Sequence, residues 1–230
     1  MHSWASHIVL AAFAAASLQA GAARPPSQPL HRHEATRLSM ACVYAIEAYG
    51  PDWQRLSRAV EEALDEVDRI DRLMSHYQTG SAVSRINREA AHHPVALEPE
   101  LFDFLQTALR YASDSCGAFD ITVGPLMKAW GFFRGEGHIP ADEDLRAARR
   151  LVGTHHVRLN SAARTIAFDE PGVEIDLGGI AKGYAVDRAA ALLRERRAQG
   201  ITVSVLGKHP MGGVLPHGKM MIIDEERAVL

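Results

Sequence analysis

Residues 174–187, EIDLGGIAKGYAVD, set an aspartate against two glycines and bring a lysine into what reads as the first turn of a helix. In GVEIDLGG (172–179) the hydrophobic positions end at Leu177, as in a strand. Ala181, Ala185, Ala189 and Leu192 then recur at helical spacing and predict a helix from about Ile180 to Ala198. Asp176 thus closes a strand, Gly178 and Gly179 turn the chain, and Lys182 opens a helix. Glycines allow a close backbone approach, free amides at a helix N-terminus donate to anions, and a lysine adds a point charge suited to phosphate. Two readings stand at this level. Either this is an anion site at which Asp176 serves a metal, a ring or a ribose, or it is a plain tight connection in which Asp176 caps the helix and Lys182 is solvated. The spacing matches neither G-x-G-x-x-G nor G-x-x-x-x-G-K-[ST], which excludes the familiar dinucleotide and P-loop fingerprints.

Outward from this stretch, ITVSVL (201–206) predicts a last strand. HHVRLN (155–160) and RTIAFD (164–169) flank Ser161-Ala162-Ala163 as a hairpin, and Pro140 and Asp142 open a short charged helix that Gly153 closes. GAFDITVGPLMKAWGF (117–132) mixes glycine, proline and aromatics too densely for a regular element. Leu101, Phe104, Leu105, Ala108, Leu109 and Ala112 form the apolar face of a helix running up to Gly117. SHYQTGSAVSRINR (75–88) loses that period and reads as a loop leading into a short irregular turn. Trp53, Leu56, Val60, Leu64, Val67 and Ile70 predict a helix capped by Asp52, and Met40, Cys42, Tyr44, Ile46 and Ala48 alternate as in a strand with one covered face. Mixed strands and helices without a strict βα repeat predict an α+β fold, sheet layers packed with helices.

The 230 residues, 47% of them hydrophobic, suffice for one substantial domain. A net charge of -3 and a pI near 6.5 argue against a nucleic-acid partner. Ile8 to Ala23 is apolar, too short to span a bilayer comfortably, and ends in small residues, so residues 1–23 read as a secretory signal and predict a periplasmic or secreted protein. The proline-rich residues 24–35 read as a linker, 36–207 as the folded domain and 208–230 as an atypical tail. Cys42 and Cys116 are expected to be buried free thiols, and the doublets His92-His93 and His155-His156 to be solvated turn or strand-edge residues rather than metal ligands.

Taken together and in chain order, SHYQTGSAVSRINR, GAFDITVGPLMKAWGF and DLGGIAKGYAVD (176–187) resemble the FAD:protein FMN transferases, the ApbE or thiamine-biosynthesis lipoprotein family. The resemblance covers roughly residues 36–205 and implies an ApbE-like fold with mixed or antiparallel sheets. It implies an enzyme that splits FAD at its pyrophosphate, releases AMP, and leaves FMN on a threonine or serine hydroxyl of a target flavoprotein, with Mg2+ assisting. Any membrane proximity would come through that target. By the same resemblance Met40, Tyr77, Ala118, Phe119, Asp120, Asp176 and Lys182 contact the flavin nucleotide, and the carbonyl of Gly179 reaches magnesium; the catalytic group is unassigned. Two departures stand out. Met40-Ala41-Cys42 occupies the place of a Met-Gly-Thr, and beyond Gly207 this chain does not carry the family's Ser-Thr-Ser-Gly, histidine-containing and late Asp/Thr motifs. The C-terminal portion of the family fold is therefore expected to be missing, and a non-catalytic flavin-binding remnant or an FAD pyrophosphatase are the alternative expectations.

Overall fold

Tyr44, Ile46 and Ala48 are fully buried while Val43, Ala45 and Glu47 between them are only partly covered, so the alternation read from the sequence is that of a half-covered strand. The computed structural model describes residues 29–134, 137–208 and 214–215. The expected signal segment and most of the expected tail lie outside the described residues. In chain order the elements are strands β1 (His31–Ser39) and β2 (Cys42–Gly50), helices α1 (Trp53–Met74) and α2 (Ala82–Glu89), strand β3 (Val95–Ala96) and helices α3 (Pro99–Asp114), α4 (Gly124–Ala129) and α5 (Asp142–Arg150). Then come the β4 (Val157–Asn160) and β5 (Thr165–Phe168) hairpin, helix α6 (Ala181–Glu195), and strands β6 (Gln199–Lys208) and β7 (Val214–Leu215).

One antiparallel sheet has the order β1-β2-β6-β7 and a smaller one the order β3-β5-β4, which gives the α+β architecture. Helices α1 and α6 pack on each other and on the larger sheet. Leu56, Val60, Leu64, Val67 and Ile70 of α1, with Ala185, Ala189 and Leu193 of α6, meet Tyr44, Ile46 and Val203 in a core that continues to Ile166 and Phe168 of the smaller sheet. Asp52 caps α1 as expected, its carboxylate accepting from the Arg55 amide at 3.1 Å.

The structure departs from the sequence reading in several places. Strand β1 begins at His31, inside the stretch expected to be linker, because its polar side chains can stay wet on an edge strand. Arg32 pairs with Glu47 of β2, and Arg37 reaches Glu61, Asp65 and Asp68 of α1. Residues 82–89 are helical rather than an irregular turn: Ser81 caps them by accepting from the Ser84 amide at 2.9 Å, and Val83 and Ile86 are buried. Gly124–Ala129 is likewise a short helix.

Residues 173–177, expected as a strand, join no ladder among the described residues. Their backbone is paired to a side chain instead: Ile175 N donates to Asn87 Oδ1 and Asn87 Nδ2 to the Ile175 carbonyl, both at 2.9 Å, while Asp176 N donates to the Ile121 carbonyl at 2.7 Å. Gly124 lets this segment pass close by, since a Cβ there would lie 2.8 Å from the Glu174 carbonyl oxygen. Both cysteines are free, but only Cys42 is buried; Cys116 is exposed on the turn after α3. His156 is buried, against the expectation of a solvated doublet, because Asp169 and the Arg150 carbonyl hold its two ring nitrogens at 2.8 and 3.0 Å.

Candidate functional site

Register fixes the first part of the site. Ser39 pairs with Cys42, so β1 and β2 are joined by the two residues Met40 and Ala41, both with positive φ (49° and 57°). That is the type I′ hairpin turn, whose twist matches the flanking strands but which normally recruits Asn and Gly. The turn therefore stands at the tip of the hairpin rather than continuing the alternation of β2, and Tyr44 anchors it by donating its hydroxyl to Met40 Sδ at 3.2 Å. Met40 and Ala41 line a cavity of about 300 Å³ together with Met74, His76, Tyr77, Gly178, Ala181 and Lys182. The hairpin tip, the end of α1 with its following loop, and the glycine turn before α6 thus converge on one pocket.

The glycine turn is not capped as an ordinary connection. Asp176 Oδ1 accepts from the Gly178 amide at 2.7 Å, two residues on, and lies 3.2 Å from His76 Nδ1, with both side chains 6% exposed. Burial raises the Asp176 carboxyl, but the His76 ring and the Gly178 amide outweigh it and hold the group below the usual carboxylate range. Lys182 folds back so that Nζ donates to the Gly178 carbonyl at 3.1 Å. Ile180 and Ala181 spend their amides on the Leu177 carbonyl; among the described residues the amides of Lys182 and Gly183 and the carbonyl of Gly179 take no backbone partner. Free amides beside a lysine at a helix start are the anion-binding arrangement.

Of the residues marked from the sequence, Met40, Tyr77 and Lys182 line the cavity, and Asp176 stands behind its wall through His76. Ala118, Phe119 and Asp120 do not line it. They form a turn alongside: Phe119 reaches within 3.5 Å of the place a Cβ on Gly179 would take, and Asp120 Oδ1 accepts from the Thr122 amide and hydroxyl at 2.7 and 2.6 Å. His76 and Phe133 were missed. The His76 ring lies 3.8 Å from Tyr77 and 4.4 Å from Phe133, centroid to centroid, and Lys128, paired with Glu174, sits over Phe133. A histidine beside the marked tyrosine was the available signal; nothing local to Phe133 shows that it folds back onto that loop.

A divalent cation fits these residues only in part. Among the described residues no group of three or more His, Cys, Asp or Glu side chains is placed to hold a metal ion, and Asp176 is already engaged by Gly178 and His76. Of the positions marked from the sequence, the Gly179 carbonyl remains to offer, and the Asp71 carboxylate lines the same cavity.

Residues 40–227 match the ApbE family, a span that runs on through Gly207. The FAD:protein FMN transferase of Salmonella typhimurium is 30% identical over 185 residues, 79% of this chain and 53% of that protein. That of Vibrio cholerae serotype O1 is 30% identical over 217 residues, 93% and 62% of the two chains. Among solved structures, the flavin transferase ApbE from Vibrio cholerae superposes with a TM-score of 0.66 at 28% identity over 80% of this chain and 62% of that one. The ApbE protein from Thermotoga maritima does so with 0.69 at 26% identity over 84% and 66%. This chain spans between half and two thirds of the length of these relatives.

Proposed function

The chain belongs to the ApbE family, and from that premise we propose that it binds FAD and transfers FMN to a threonine or serine hydroxyl of a target flavoprotein. The hydroxyl oxygen forms a bond to the phosphorus of the FMN half, the bond from that phosphorus to the bridging oxygen breaks, AMP leaves with the bridging oxygen, and the hydroxyl proton is lost to solvent or a base. The observation that carries this reading is the convergence of Met40, Tyr77 and Lys182, from three separated segments, on one cavity beside a helix start with free amides.

Met40, Ala41, Met74 and Ala181 give that cavity an apolar lining for a flat ring, and Tyr77 offers an aromatic face. The Lys182 and Gly183 amides, with the Lys182 ammonium released from Gly178, would neutralise the pyrophosphate, and most of phosphoryl transfer is such positioning and charge stabilisation. Magnesium, when bound, would neutralise charge on the bridging phosphates, with the Gly179 carbonyl as its contact in this chain. The apolar run from Ile8 to Ala23 supports a periplasmic or secreted location, where the acceptor would be met.

The test incubates the chain with a threonine-bearing acceptor flavoprotein, FAD and Mg2+, and reads intact acceptor mass and AMP in the same tube. An FMN-sized mass gain with matching AMP is expected. AMP without the adduct would make the protein an FAD pyrophosphatase, and bound flavin with neither product a flavin-binding module.

A further inference from the structure

We infer that His76 positions the ligand in this pocket, its Nε2 accepting a hydrogen bond from an N–H or O–H donor on the bound nucleotide. The inference rests on the flavin reading above and adds to it a specificity-determining residue. His76 is 94% buried by side chain, yet it forms part of the cavity wall. Its two nitrogens differ in their surroundings. Nδ1 faces the Asp176 carboxylate at 3.2 Å, and an ionised carboxylate only accepts, so Nδ1 carries the proton and in the neutral ring Nε2 carries the lone pair. Nε2 is itself buried and among the described residues has no hydrogen-bond partner.

A buried acceptor without a partner is costly, and at the wall of a cavity a donor on a bound molecule would offset that cost. Tyr77 and Phe133 pack against the ring, and Asp176 is fixed in turn by the Gly178 amide. His76 is therefore an acceptor in the wall of a cavity that also holds the polar side chains of Asp71, Ser75, Gln78 and Lys182. Two parts of FAD offer a matching donor on a flat ring: the imide N–H of the isoalloxazine and the exocyclic amine of adenine. Tyr77, 56% exposed, is free to stack on either.

The test compares His76→Asn, His76→Gln and His76→Phe in the full chain. Asparagine places its amide nitrogen near Nδ1 and keeps a partner for Asp176 while removing the Nε2 position. Glutamine keeps a polar atom near Nε2, and phenylalanine keeps only the ring stack. Equilibrium dissociation constants for FAD, FMN and AMP are read with thermal melting of each variant. His76→Asn and His76→Phe should weaken FAD binding about tenfold, with His76→Gln within about threefold of the parent. Melting of His76→Asn should be close to that of the parent, which a purely structural role would not give. Loss carried over to FMN but not AMP assigns the donor to the flavin, and the reverse assigns it to adenine. Unchanged FAD affinity in His76→Asn, or losses that follow melting temperature across all three variants, overturns the inference while leaving the flavin reading standing. A parent chain that binds none of FAD, FMN and AMP overturns both.

Discussion

Ala41 holds φ at 57°, where a Cβ collides with the backbone and glycine does not. Ala41→Gly should therefore stabilise the protein by about 1 kcal/mol in denaturant titration, and a variant no more stable than the parent would show the turn to be relaxed. The same reasoning at Asp176 gives a pH dependence. Its carboxyl is lowered in the fold, so its contribution to stability is present above the unfolded value of about 4 and disappears as pH falls through the lower folded value. The stability difference between the parent and Asp176→Asn should be constant from neutral pH to about pH 5 and shrink below about pH 4. His156 behaves in the opposite sense. Burial opposes its charge, but two acceptors, the Asp169 carboxylate and the Arg150 carbonyl, require both ring nitrogens to donate, and they raise its folded value. Its contribution is complete below the unfolded value of about 6.5 and is lost as pH rises through the folded value. An NMR titration of the ring placing its midpoint at or below about 6.5 would contradict this.

At the scale of the element, the segment 173–177 leads into the glycine turn of the site, and it is held by a side chain rather than by a strand. Asn87 on α2 supplies both a donor and an acceptor to Ile175, doing for one residue what a neighbouring strand does for a ladder. Asn87→Ala leaves the Ile175 amide and carbonyl unpaired, and should cost about 2–4 kcal/mol by urea denaturation, with faster hydrogen exchange at the Ile175 amide. A further link ties three helices to one another. Arg69 of α1, itself paired with Glu66, donates to Glu100 of α3, which also accepts from the Tyr184 hydroxyl of α6. These side chains tie α6, which follows the turn carrying Gly178 and Gly179, to α1 and α3.

For the whole molecule, one apolar core runs from the larger sheet through α1 and α6 to the smaller sheet, so the two sheets are expected to unfold together. Leu64→Ala, at a position 1% exposed, should lower stability by about 2–5 kcal/mol, and amides of β2 and β5 should lose hydrogen-exchange protection in step. Independent loss of the β5 amides would divide the molecule into two units. The sequence alone determined the α+β class, α1 with its Asp52 cap, the β4–β5 hairpin and the glycine turn with its lysine, because period, capping and glycine chemistry are properties of neighbouring residues. It read the 75–88 segment as loop because α2 is short and mostly polar, with Val83 and Ile86 as its buried positions. It read 173–177 as a strand because alternation reports a covered face and not what covers it. Only the tertiary structure decided that Asn87 pairs that segment, that His76 meets Asp176, and that Phe133 closes on both His76 and Tyr77. Those contacts join residues far apart along the chain, and they are fixed by how helices and hairpins pack, which no local pattern encodes.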